Sequence, residues 1–130
     1  MANSELILLD TSILIDFFRK KDKSKSKFYS LTTKYTLFAV SVITEYEIFT
    51  GASDSTLEYW NIFFDQVMVL PLERIATQNA VKIFKQLKHE NKLIEIPDIL
   101  IGSTAIVNKI KLATLNRKHF ERIEGLDIIE

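Results

Sequence analysis

Short apolar runs alternating with longer stretches of helical periodicity predict an α/β fold built on a parallel sheet. Two observations carry that expectation. Leu6-Ile7-Leu8-Leu9 is an uninterrupted apolar run stopped by Asp10, and Leu37-Phe38-Ala39-Val40, Val67-Met68-Val69-Leu70 and Leu112-Ala113-Thr114 repeat the pattern downstream. Strands covered on both faces read as continuous apolar runs of this kind. The intervening segments place apolar residues three and four positions apart, as amphipathic helices do. No repeat, low-complexity tract or linker interrupts the series, so residues 1–130 read as one domain.

The first strand covers Leu6 to Leu9. Ser12 is placed to cap a helix carrying Ile13, Leu14, Phe17 and Phe18. A second helix follows a lysine-rich stretch, with Phe28, Tyr29 and Leu31 facing inward. Ser41 fits the cap of a third, which carries Val42, Ile43, Tyr46 and Phe49 on one side and ends at Gly51. Asp54 or Ser55 caps the next helix, which holds Leu57, Trp60, Phe63 and Phe64. Pro71 closes the third strand. From Glu73 to about Asn91, Ala76, Ala80, Phe84 and Leu87 form an apolar stripe, with Lys82, Lys85 and Lys88 away from its centre. Pro97 suits the first turn of a helix running through Asn108. That helix is apolar nearly all round, which predicts a central position, and Gly102 within it predicts close packing. Asp127-Ile128-Ile129 is a candidate fifth strand at an edge, making a sheet of four to five strands.

The 130 residues are 47% hydrophobic and 26% charged, enough for a real core. Three Gly and two Pro argue against a disordered chain. The absence of cysteine excludes disulfides, thiolate metal sites and a cysteine nucleophile, and it fits a cytoplasmic location. Met1-Ala2-Asn3-Ser4-Glu5 lacks the basic region of a signal peptide, and the apolar run after it is too short to span a membrane. Seventeen basic and seventeen acidic residues cancel, so bulk charge does not favour coating of long nucleic acids. Locally, Arg19, Lys20, Lys21, Lys23, Lys25 and Lys27 face a single acid, Asp22. Such a stretch is either a solvated helix end or a set of phosphate contacts.

Asp10 stands at the end of the first strand, and Glu45 and Asp98 follow two further turns into helices. Glu45 has a rival in Glu47, and periodicity does not decide between them. In open α/β sheets ligands bind in the crevice outside the strand ends. Acids gathered there repel one another unless a cation or protons intervene. Mg²⁺ and Mn²⁺ favour carboxylate and water oxygens and need no histidine. Such ions can orient a water, polarise a phosphodiester and stabilise the departing oxygen. The pattern therefore predicts a divalent-metal site that cleaves phosphodiester bonds. Singly, each acid also has a structural reading. Asp10 competes with Ser12 to cap a helix, and Asp98 in a first turn is favoured by the helix dipole alone. Asp16 interrupts an apolar face, and a supporting hydrogen bond is expected of it rather than direct metal contact.

Other chemistries fail. There is no glycine-rich phosphate loop and no G-x-S-x-G elbow. His89 and His119 lack the spacing of a zinc pair, and local hydrogen bonding is expected of His119. Tyr59, Trp60, Phe63 and Phe64 read as core or subunit interface more readily than as a base-stacking platform.

The segments Leu9-Asp10-Thr11-Ser12-Ile13-Leu14-Ile15-Asp16, Thr44-Glu45, Pro97-Asp98-Ile99-Leu100-Ile101 and Thr114-Leu115-Asn116-Arg117-Lys118-His119-Phe120 together resemble the PIN domain, and in particular the VapC toxins of type II toxin–antitoxin systems. The resemblance spans essentially the whole chain. It implies a three-layer α/β/α fold, an Mg²⁺- or Mn²⁺-dependent endoribonuclease using a metal-activated water, a homodimer, and inhibition by a small cognate antitoxin inserted into the acidic groove. It makes Asp10, Glu45 and Asp98 the metal-site acids, favouring Glu45 over Glu47. Asn116 falls where many PIN domains carry a further Asp, and it is expected to orient water or substrate. Thr11 and Thr114 match positions that shape the site. His119 replaces an Asp common elsewhere in the family, and Gly102-Ser103 replaces a frequent Ala-Ala pair. Two other function classes stay open on the residues alone: an acidic-pocket phosphoacceptor switch and a non-catalytic interaction module.

Overall fold

A computed structural model describes residues 3–129. Four parallel strands form one sheet: β1 (Asn3–Leu9), β2 (Tyr35–Ser41), β3 (Met68–Leu70) and β4 (Lys111–Ala113), in the order β3-β2-β1-β4. Among the described residues seven α-helices accompany it: α1 (Thr11–Arg19), α2 (Lys27–Thr32), α3 (Val42–Gly51), α4 (Asp54–Gln66), α5 (Arg74–His89), α6 (Ile96–Asn108) and α7 (Arg117–Phe120).

Strand pleating sends alternate residues to opposite faces, and two separate cores result. Leu8, Ala39 and Leu112 point into an aliphatic layer filled by Ala80, Ile83 and Leu87 of α5, Ile99, Ile101 and Ala105 of α6, and Phe120. Ile7, Leu9, Val40 and Ala113 point the other way, onto Ile13 and Leu14 of α1, Leu31 of α2, Ile48 of α3, and Trp60 and Phe64 of α4. Helices on both faces make the architecture a three-layer α/β/α sandwich. The Tyr59–Phe64 aromatics belong to this second core, where Phe18 packs on Tyr59 and Trp60 at ring centroid distances of 5.0 and 5.2 Å. Among the described residues no helix is long and apolar enough to cross a membrane.

Several sequence expectations are corrected by packing. Asp127-Ile128-Ile129 forms no strand. It makes one parallel bridge, Leu112 to Ile128, because β4 is only three residues long and offers little edge to extend. Ser12 lies inside α1, and the cap position belongs to Asp10, whose side chain makes no cap bond. Ser53, not Asp54 or Ser55, caps α4, with its N–H bonded to Thr56 Oγ1 at 3.0 Å. Tyr29 turns outward, since a six-residue helix buries only one narrow side, taken by Leu31. On α5, Ile83 replaces Phe84 in the buried stripe, giving the 76, 80, 83, 87 spacing of a regular helix face. The largest departure from the sequence pattern lies on α3. Of the expected Val42-Ile43-Tyr46-Phe49 stripe, Ile43 and Phe49 pack at the edges of the two cores, but Tyr46 is 69% exposed, and the fully buried positions are Thr44 and Ile48.

The basic stretch has a local structural use. Lys23 Nζ donates to the carbonyls of Phe17 (2.5 Å) and Phe18 (2.8 Å), which closes the C-terminal end of α1. Asp16 pairs with Lys20 at 3.7 Å and accepts the backbone N–H of Lys27 at 2.9 Å. It ties α1 to the start of α2 and makes no described contact with Asp10, Glu45 or Asp98.

Gly102 and Ser103 seat α6. A Cβ on Gly102 would lie 2.6 Å from Ile123 Cδ1. Ser103 Oγ donates to the Ala76 carbonyl at 2.6 Å and accepts from Asn79 Nδ2 at 3.0 Å, joining α6 to α5.

Candidate active site

The chain lays β2 and β3 on one side of β1 and then returns to place β4 on the other. The crevice at the carboxyl ends of β1 and β4 is therefore the switch point at which open sheets bind ligands. β1 delivers Asp10 there, β4 delivers Thr114 to Asn116, and α6, running back toward the start of β4, brings its first turn to the same end. A pocket of about 210 Å³ opens at this place, lined by Asp10, Thr11, Ser12, Ile15, Glu47, Glu95, Asp98, Asn116 and His119.

Asp10 is held from several directions. It is 3% exposed, and its Oδ2 accepts from Ser12 Oγ at 2.7 Å and from Thr114 Oγ1 at 2.8 Å. Ser12 Oγ in turn accepts from Leu115 N–H at 3.0 Å, and Thr114 Oγ1 from Asn116 N–H at 2.8 Å. These bonds fasten the β1 exit to the β4 exit and leave Oδ1 without a described protein partner. The Thr11 hydroxyl donates to Glu47 Oε1 at 2.7 Å and lies 2.9 Å from the Thr44 hydroxyl, which fixes α3 against α1.

Glu47, not Glu45, thus reaches the pocket. Two residues of helix separate side chains by about 200°. With Thr44 and Ile48 buried, Glu47 lies along the inward face and Glu45 does not line the pocket. The recognisable signal was the set Thr44, Glu47, Ile48 and Gly51, spaced three, four and seven apart. Asp98 follows a loop from α5 rather than a strand, and lies in the first turn of α6. Glu95, at the cap position of α6, and His119, on α7, also line the pocket, although no periodic pattern in the sequence singled them out. Asp16 stands outside it.

Burial raises Asp98 to about 6, and the nearby charges of Asp10, Glu47 and Glu95 push in the same direction. None of the four pocket acids makes an ion pair with Lys or Arg among the described residues. Four hard oxygen donors without a countercharge fit a divalent cation such as Mg²⁺ or Mn²⁺. The same residues are not drawn into a closed three-ligand cage. An ion that keeps several of its waters does not require one.

The family model of the PIN domain matches residues 7–126. This chain belongs to the PIN-domain family. It is 35% identical over 127 residues to Ribonuclease VapC1 of Methanocaldococcus jannaschii, covering 95% of this chain and 87% of that protein. It is 29% identical over 120 residues to Ribonuclease VapC19 of Mycobacterium tuberculosis, covering 92% and 95%. Its fold superposes on a chain of the crystal structure of VapBC2 from Rickettsia felis bound to a promoter DNA fragment. The TM-score is 0.83 at 24% identity, over 95% of this chain and 97% of that one.

Proposed function

We propose that this PIN-domain protein is a metal-dependent endoribonuclease, the toxin of a toxin–antitoxin pair, acting on RNA in the cytoplasm. The observation that carries this reading is the cluster of Asp10, Glu47, Asp98 and Glu95, in no ion pair with Lys or Arg among the described residues, at the switch point of the sheet. Its VapC relatives are named as ribonucleases.

Asp10, Glu47 and Asp98 would hold Mg²⁺ or Mn²⁺, with Glu95 at the rim. Such an ion supplies Lewis-acid polarisation of a phosphodiester and a more acidic water. The protein's own residues do the positioning. Ser12 and Thr114 clamp one oxygen of Asp10, so the other is presented in a fixed direction. Thr11 does the same for Glu47. Asn116, exposed at the start of α7, offers an amide donor to phosphate or water without adding negative charge. In-line displacement at phosphorus then needs RNA held with its backbone across the mouth of the pocket.

The partners in this proposal are single-stranded or looped RNA, a small cognate antitoxin and a second copy of the chain. Solved structures of the same fold include toxin–antitoxin complexes, one from Klebsiella pneumoniae at 25% identity with a TM-score of 0.75.

The test is cleavage of a defined RNA set with Mg²⁺ or Mn²⁺, with EDTA as control and the products sequenced. Wild type is expected to cut and Asp98→Asn to be inactive. Undiminished metal-dependent cleavage by the folded Asp10→Asn/Asp98→Asn double variant would falsify the site assignment. Binding of RNA without cleavage would favour a non-catalytic module.

A further inference from the structure

The lining of the pocket is chemically unbalanced. Asp10, Glu47, Glu95 and Asp98 are acids, whereas His119 is its one ring N–H donor and Asn116 its one amide. A phosphate approaching four carboxylates is repelled, and a cation bound among them offsets that only near its own position. The outer phosphate oxygens need donors at the rim.

The start of α7 provides such a rim. The helix is four residues long, so its position is set by its anchors. Phe120 is fully buried in the aliphatic core, and the backbone N–H groups of His119 and Phe120 bond to the Asn116 carbonyl at 3.0 and 3.3 Å. Asn116 is itself fastened to Thr114, which holds Asp10. His119 is thereby placed beside the acids through an unbroken series of hydrogen bonds and one buried ring. Its own ring is half-buried and enters no hydrogen bond or ion pair among the described residues. A local hydrogen bond, the expectation from sequence, does not occupy it. Lys118, the exposed neighbour, adds positive charge on the same short helix.

We infer that His119 is a substrate-contacting residue whose ring N–H donates to a non-bridging oxygen of the RNA phosphate lying across the pocket. The inference rests on the ribonuclease reading. It requires no particular protonation state, because neutral and cationic imidazole both carry an N–H.

Two measurements test it. In steady-state cleavage of a short single-stranded RNA at saturating Mg²⁺, His119→Ala is expected to raise KM about tenfold, as loss of one hydrogen bond to a charged group does. The turnover number should stay within about twofold and the Mg²⁺ midpoint should not move, while His119→Gln, which keeps an N–H, recovers most of the loss. In wild-type protein with Ca²⁺ in place of Mg²⁺, to supply the charge without turnover, and the same RNA, NMR resonances of the His119 ring should shift while those of exposed His89 on α5 do not. An unchanged KM in folded His119→Ala, or an effect confined to the Mg²⁺ midpoint, overturns the inference. So do unmoved His119 resonances, which decide the matter should the alanine variant misfold. If wild type cuts no RNA with either metal, the ribonuclease reading falls. Cleavage without His119 involvement removes only this inference.

Discussion

Asp10 and Asp98 line one pocket from two regions of the molecule that are built differently. On the β1–β4 side, Asp10 is buried and clamped by the hydroxyls of Ser12 and Thr114. On the α6 side, Asp98 is only half-buried, accepts no described side-chain hydrogen bond, and is raised to about 6 by burial and by its acidic neighbours. One carboxylate is fixed by donors that satisfy it. The other is held by the helix that carries it and left short of a countercharge. A site assembled this way has one preset carboxylate and one whose ionic form becomes more favourable when positive charge arrives.

The strongest way to break this comparison is to remove each charge. Asp10→Asn and Asp98→Asn should each lower metal-dependent cleavage by at least about a hundredfold, measured on a labelled RNA. The fold should survive in both: at position 10 an asparagine oxygen can still accept from Ser12 and Thr114, and at position 98 no described side-chain bond is lost. The same assay separates the two glutamates of α3. Glu47→Gln should fall as far, whereas Glu45→Gln should stay within about twofold.

The clamp on Asp10 is tested by Thr114→Val. Losing the hydroxyl takes one of two donors from Asp10 Oδ2 and strands the Asn116 N–H. Activity should fall about ten- to a hundredfold through poorer orientation of the ligand. Denaturant unfolding should show a stability loss of about 1–3 kcal/mol.

Asp98 predicts a pH dependence of opposite character. Its unfolded value is near 3.8 and its folded value about 6, so between these the folded state binds more protons than the unfolded state. The contribution of Asp98 to metal-free stability is therefore greatest below the lower value, declines as pH rises through about 6, and is flat above it. Thermal unfolding in EDTA should show Asp98→Asn gaining on wild type across that window. Added Mg²⁺ should close the gap at neutral pH, because an ion that binds only the folded protein stabilises it. A constant difference from pH 4 to 8 would contradict the raised value.

The smallest effect concerns the seat of α6. Gly102→Ala improves helix propensity but drives a methyl to 2.6 Å from Ile123 Cδ1. The flexible end of that side chain can move, so the net loss should be about 1 kcal/mol, and metal affinity should change more through Asp98 than through Asp10.

Sequence and structure agree where the signal is local. Leu6 to Leu9, Ala39-Val40 and the nearly all-apolar α6 reveal buried elements, because a strand or helix covered on every side admits few polar residues. Leu37, at the outer end of β2, is 49% exposed, and the buried Ser103 and Thr104 of α6 donate to backbone carbonyls. Pro97 and Asp98 mark the start of α6 for similarly local reasons. Agreement fails where only neighbours in space define which side is in. On α3, apolar Val42, Ile43, Tyr46 and Phe49 suggest one face, but α1 and α6 pack closest on Thr44 and Ile48, and that rotation exchanges Glu45 for Glu47. Glu95 and His119 carry no periodic signal at all, since one lies at a helix cap and the other on a single turn.

By itself, then, the amino-acid order determined the alternation of strands and helices, the parallel sheet and the presence of acids at its carboxyl edge, because these follow from hydrophobic period and short-range caps. Only the tertiary structure decided which glutamate faces inward, that Asp16 serves α2 instead of the pocket, and that His119 stands beside the acids. Those outcomes depend on the rotation and docking of whole helices, which are set by packing between residues far apart in the chain.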